Sequence, residues 1–216
     1  MIVKVCGLSQ ARNVAQVAAL GVDLLGFIFS KQSPRCVTAG VAARASLVAG
    51  EAMTVGVFVD EAPATIVRTV EAARLGCVQL HGHETPAQVE RLRRLLPATR
   101  IIKAVGVASA ADVERCKTSY EGLVDCFIFD TKCPAGGGSG RKYDWSVLEA
   151  YDGSTPFLLS GGIGPGDARQ VRDFAHPSCV GIDVNSRFEL APGLKDVEKL
   201  KKFIEEIRTN LIEKNT

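Results

Sequence analysis

About eight short runs rich in Val, Ile, Phe and Leu recur along the chain, separated by segments whose apolar residues return at helical spacing. This alternation limits the fold more than any other feature. The predicted strands are 2–6, 24–29, 54–59, 77–80, 100–104, 126–130, 157–160 and 180–183. The predicted helices include 11–20, 63–74, 86–96, 110–117, 166–174 and 196–208, several opening on Pro or an acidic cap. The strands are apolar on both faces, as parallel strands are when helices cover one side and neighbouring strands fill the other. At 216 residues the chain reaches the short end of the range in which an eightfold barrel closes. The expected class is α/β, a single (β/α)8 TIM barrel over 1–208 with a polar tail at 209–216. A doubly wound open sheet is the competitor, but it uses fewer strands and a glycine-rich first turn, which Cys6-Gly7-Leu8-Ser9 is not.

Charge and cysteine usage narrow the partners. A net charge of +2 with no block of like charges lacks the footprint of a nucleic-acid or anionic-membrane binder, so an anionic ligand must be held locally. The 7 cysteines are odd in number and include no CxxC pair, which suits a reducing compartment. With no signal-peptide pattern at Met1 and no apolar run near ~20 residues, cytoplasm is the expected location. Assembly is left as monomer or homodimer.

In such a barrel, function sits at the carboxyl ends of the strands. Those positions read Cys6, Ser33-Pro34-Arg35, Asp60, His81, Lys103, Asp130, Gly161-Gly162 and Asp183-Val184-Asn185-Ser186. Lys4 and Cys6 alternate onto one face of the first strand. A lysine inside a barrel needs a carboxylate, from Asp130 or Asp183, and beside a thiol it favours thiolate. Taken alone, the two residues read more simply as an outward-facing solvated lysine and a small buried hydrophobe, and context must decide. Asp130 ends an apolar run, which raises a carboxyl's pKa and suits a proton donor, although a turn cap is the alternative.

The glycines at 161–162 and the Asn185-Ser186 turn after strand eight are anion-cradling devices, favouring a phosphorylated small-molecule substrate. Arg35 presents a guanidinium at the rim, suited to a carboxylate. The glycine-rich 136–140 reads as a flap. His81 and His83 invite a metal, but the remaining histidine, His176, lies at the other end of a barrel; His81 is expected to line the pocket and His83 to meet solvent.

Taken together, Lys4-Val5-Cys6-Gly7-Leu8, Gly26-Phe27-Ile28-Phe29 with Ser33-Pro34-Arg35, Gly56-Val57-Phe58-Val59 and Val78-Gln79-Leu80-His81-Gly82 closely resemble phosphoribosylanthranilate isomerases. So do Gly137-Gly138-Ser139-Gly140 with Asp144-Trp145, Ser160-Gly161-Gly162, and Gly181-Ile182-Asp183 through Pro192-Gly193-Leu194-Lys195-Asp196. The resemblance runs from end to end except for the tail. It implies an Amadori rearrangement in tryptophan biosynthesis, N-(5-phosphoribosyl)anthranilate to 1-(2-carboxyphenylamino)-1-deoxyribulose 5-phosphate, with no cofactor and no metal. It further implies Cys6 as general base, Asp130 as general acid, Arg35 on the anthranilate carboxylate, and Gly161, Gly162, Asn185 and Ser186 on the phosphate. Lys4, His81 and Asp183 join as binding residues. Many family members carry glycine where this chain has Arg187, leaving either a less close backbone approach to phosphate or an added cation at the rim. The rival functions are another sugar-phosphate isomerase of the phosphate-binding barrels, a metal-dependent barrel hydrolase using His81 and His83, and a catalytically silent binding protein.

Overall fold

The computed structural model describes residues 1–131 and 144–209. Eight parallel strands close on themselves in the order β1 (Ile2–Val5), β2 (Leu24–Ile28), β3 (Met53–Phe58), β4 (Cys77–Leu80), β5 (Arg100–Val107), β6 (Cys126–Thr131), β7 (Phe157–Leu159) and β8 (Cys179–Val184). The helices are α1 (Ala11–Ala18), α2 (Ala39–Ser46), α3 (Pro63–Ala73), α4 (Pro86–Leu95), α5 (Ala110–Tyr120), α6 (Ala168–Asp173) and α7 (Val197–Arg208). The protein is a TIM barrel. The predicted flap at 136–140 lies outside the described residues, as does most of the tail. Among the described residues no helix is long and apolar enough to cross a membrane.

Local chemistry starts the helices where the sequence marks them. Thr85 and Gln88 form a reciprocal capping box on α4, behind Pro86 at its first position. The Asp196 side chain accepts from the backbone of Lys199 at 3.0 Å to open α7. Three elements lie outside the sequence prediction. Helix α2 is masked by its Ala/Gly-rich composition and begins at Thr38, whose hydroxyl accepts from Val41 N–H. After β6, residues Trp145–Ala150 form a 3-10 helix. After β8 comes an antiparallel hairpin, β9 (Glu189–Ala191) and β10 (Leu194–Lys195).

The alternation of side chains sorts the core into two layers. Val3, Val5, Phe27, Phe127, Phe129 and Phe157 face outward and are buried beneath the helices. Val55, Cys77, Ile102, Ala104, Ile128 and Leu158 fill the barrel, flanked by Ile2, Leu24 and Met53. Above this apolar plug the interior turns polar. Lys4 is fully buried and lies opposite Asp183 in the β1–β8 register, and its Nζ donates to Asp183 Oδ1 at 2.8 Å. Burial alone would depress the Lys4 ammonium, but the Asp183 carboxylate reverses this and holds it above the ordinary lysine range. Of the two carboxylates expected to meet this lysine, Asp183 is the one that does.

Removing one partner of such a pair strands the other in a water-poor interior. Asp183→Leu should therefore lose about 3–5 kcal/mol in urea unfolding, whereas Lys4→Met combined with Asp183→Leu should recover most of that loss. A single variant as stable as the parent would show that the pair does not secure this seam.

Candidate active site

The carboxyl ends of the strands converge as the barrel pattern requires. Cys6 follows β1 directly, its N–H donating to Val184 O at 2.9 Å, so the thiol is carried into the barrel mouth from the β1–β8 seam. The neighbouring strand leaves room for it. A Cβ on Gly26 would stand 2.8 Å from Cys6 Sγ and 3.0 Å from its Cα, so only glycine at that place in β2 admits the cysteine. Cys6 is only 4% exposed. Burial pushes its thiol above the ordinary range; Lys4 pulls it down, Asp183 pushes it up and Lys195 pulls it down, with a net rise. The expected direction of the Lys4 effect is present, but its ammonium is bonded to Asp183 and burial outweighs it.

Asp130 sits near the end of β6, its side chain 17% exposed and its Oδ2 3.6 Å from His81 Nε2. The contact is organised from β4. Gln79, fully buried, brings its side-chain nitrogen to 2.8 Å from His81 Nδ1. The Gln79 amide thus fixes the plane of the imidazole from its Nδ1 side, leaving Nε2 as the ring atom nearest Asp130. His83 is 97% exposed and pairs with Asp60 at 3.1 Å, away from His81. Among the described residues no three His, Cys, Asp or Glu side chains gather in a metal-binding group.

The loops after β7 and β8 follow the carboxyl ends of their strands. Gly161 and Gly162 both take positive φ, 94° and 69°, which side-chain-bearing residues adopt only with strain, so the loop curls as bare backbone. Asn185 and Ser186 lead into a short 3-10 turn, Ser186–Phe188. Within that turn Arg187 packs along the β7 loop, its Cβ 3.4 Å from where a Cβ on Gly164 would lie.

The Arg35 guanidinium is already engaged by a carboxylate of the protein itself. Its Nε and Nη2 donate to both oxygens of Glu189, at 2.8 and 2.7 Å for the shorter contacts. Neither Glu189 nor its second partner, Lys195, stands out in the sequence; Lys195 lies in the Pro192–Asp196 stretch that carries part of the family resemblance, and Glu189 lies outside it. Lys103 and Asp60 do not join the site: β5 runs on to Val107, so Lys103 lies within the strand and not at its end, buried against Glu84 at 2.9 Å beneath Tyr120, and Asp60 pairs with His83.

Residues 3–206 match the family described as N-(5'phosphoribosyl)anthranilate (PRA) isomerase. The chain belongs to that family. A relative from Parabacteroides distasonis named N-(5'-phosphoribosyl)anthranilate isomerase is 44% identical, over 96% of this chain and 93% of its own. The crystal structure of phosphoribosyl anthranilate isomerase from Thermus thermophilus superposes with a TM-score of 0.85 at 29% identity, covering 97% of this chain and all (100%) of that one. A phosphoribosyl anthranilate isomerase solved in complex with reduced 1-(o-carboxyphenylamino)-1-deoxyribulose 5-phosphate gives 0.80 at 31% identity, covering 97% of this chain and 100% of its own.

The raised thiol has a direct spectroscopic consequence. In a variant keeping Cys6 but none of the other six of its 7 cysteines, thiolate absorbance in the free protein should appear only above the usual ~8.5. Lys4→Met should move the midpoint higher still, since it removes a nearby positive charge. A midpoint at or below ~8.5 would mean that burial does not dominate at this sulfur.

Proposed function

We propose that the protein's isomerase activity, the Amadori rearrangement of N-(5-phosphoribosyl)anthranilate to 1-(2-carboxyphenylamino)-1-deoxyribulose 5-phosphate in tryptophan biosynthesis, runs on Cys6 as base and Asp130 as acid. The observation that carries this reading is the position of the two groups. A buried thiol at the end of β1 and a partly exposed carboxyl in β6 occupy one barrel mouth in a chain of this family. The reaction oxidises C2′ and reduces C1′ of the same sugar, so its stoichiometry calls for no cofactor.

Asp130 protonates the furanose ring oxygen; the ring C1′–O bond breaks and the aniline nitrogen's lone pair forms an iminium ion. Cys6 then takes the C2′ proton, leaving an enolamine that tautomerises to the ketone. A raised thiol pKa is compatible with this order of events. The iminium cation favours a thiolate beside it, so the base is most available after the acid has acted. His81, with Nε2 3.6 Å from Asp130 Oδ2, lines the pocket beside the acid.

The remaining assignments follow the substrate's two anionic ends. Arg35 reads the anthranilate carboxylate, and Gly161, Gly162, Asn185 and Ser186 hold the phosphate. Lys4 and Asp183 support the sugar side of the pocket. Every residue named belongs to one chain, so the site suits either a monomer or a homodimer. The seven unpaired-spacing cysteines support a cytoplasmic setting for a single barrel domain over 1–208.

The test is turnover of freshly made phosphoribosylanthranilate, followed by loss of its anthranilate-type fluorescence. The purified protein should convert it, while Cys6→Ser and Asp130→Asn should each lower kcat by at least ~100-fold with modest change in KM. Near-normal kcat in either variant refutes that residue's role. Arg35→Ala should act mainly on KM and lose little against a substrate lacking the ring carboxylate; an equal loss with both substrates would remove the arginine from carboxylate recognition.

A further inference from the structure

Arg35 and Asn185 are joined by a buried ammonium, that of Lys195, which bonds Asn185 directly and reaches Arg35 through Glu189. Lys195 Nζ donates to Asn185 Oδ1 at 2.7 Å and Glu189 Oε1 at 2.7 Å, and also contacts Asn185 O at 3.3 Å. Glu189 in turn grips Arg35 by the Nε and Nη2 edge of its guanidinium and accepts from Gly193 N–H at 3.1 Å. The lysine is rigidly mounted. Its side chain is fully buried, and its backbone N–H and C=O are both paired with the Asn13 side chain on α1, at 2.8 and 3.0 Å. Arg35 and Asn185 also meet at Gly7, where a Cβ would lie 2.6 Å from Arg35 Cδ and 2.6 Å from Asn185 Oδ1.

This arrangement decides which atoms face a ligand. With Nε and Nη2 of Arg35 turned to Glu189, an incoming carboxylate meets the end-on edge formed by Nη1 and the far side of Nη2. With Asn185 Oδ1 held by Lys195, the NH2 end of that amide is the one turned to an oxyanion. The network is also self-consistent in charge. Burial alone would neutralise Glu189, but Arg35 and Lys195 hold its carboxyl below the usual range, so it acts as an anion between two cations.

We propose that Lys195 and Glu189 are positioning residues that fix both ends of the substrate pocket together, Lys195 orienting the phosphate-side amide of Asn185 and Glu189 orienting the carboxylate-reading edge of Arg35. The proposal rests on the reading of Arg35 and Asn185 given above. It makes binding at the two ends respond to one residue that touches neither.

The test uses the intact chain and three probes: reduced 1-(2-carboxyphenylamino)-1-deoxyribulose 5-phosphate, the same molecule without its ring carboxylate, and the same molecule without its phosphate. Lys195→Met should weaken each truncated probe about tenfold and the full probe by more than either, with KM for the substrate rising more than kcat falls. Loss confined to one truncated probe, or to neither, overturns the coupling. If Lys195→Met does not fold, the isosteric Glu189→Gln carries the test. It should weaken the phosphate-bearing, carboxylate-free probe about threefold despite its distance from that end. No change for that probe overturns the proposal. Arg35→Ala and Asn185→Ala separate the two levels of the argument, since they should weaken only the carboxylate-bearing and only the phosphate-bearing probes. If they lack that selectivity, the site assignment fails and the coupling with it; if they show it while Lys195→Met does not act on both ends, only the coupling fails.

Discussion

Lys4 and Asp183 meet 2.8 Å apart across the seam where β8 closes onto β1, and the polar half of the barrel is organised around that contact. A parallel barrel can be filled with aliphatic side chains throughout, as the lower layer here is. Placing an ammonium and a carboxylate in it costs desolvation that a salt bridge only partly offsets. The return is positional. The pair fixes the register of the seam from which Cys6 emerges and sets a positive and a negative charge beside its sulfur.

The surroundings of that sulfur set when it can serve as the proposed base. Burial keeps Cys6 as a thiol in the free protein, and positive charge is what shifts it toward thiolate. Lys4 and Lys195 supply part of that charge, although burial pulls the Lys195 ammonium below the ordinary lysine range against the opposing pull of Glu189. In the proposed mechanism the substrate supplies the rest once its ring has opened to a cation. Near the sulfur, Arg35, Glu189, Lys195 and Asn185 form one hydrogen-bonded network, so under the proposed assignments the anionic ends of the ligand meet groups already oriented before it arrives.

The barrel was legible because its signals are local and repeated. Runs such as 77–80 match β4 to the residue, and 126–130 falls one short of β6. Helix α2 escaped because residues such as Ala39, Gly40 and Ala42 give little apolar periodicity, leaving tertiary burial of Ala42 and Ala45 to define it. At the site, residues at strand ends declared themselves by breaking an apolar pattern, as Cys6, Asp130 and Asp183 do. Lys103 breaks the pattern in the same way yet faces the helical layer, where Glu84 meets it. Side-chain alternation from Ile102, which is inside the barrel, already carries that information. Glu189 and Lys195 stayed hidden for a different reason. They lie in a hairpin beyond the last barrel strand, and their partners, Arg35 and Asn13, are 154 and 182 residues away in sequence.

The assignment of Cys6 to the C2′ proton is the centre of this account, and an isotope measurement at that carbon addresses it most directly. In single turnovers with substrate carrying deuterium at C2′, Cys6→Ser should make proton removal the slow step and show a full primary isotope effect, while Asp130→Asn, slowed at ring opening, should show little. A Cys6→Ser variant that is slow yet indifferent to deuterium would mean that the cysteine does not remove the proton.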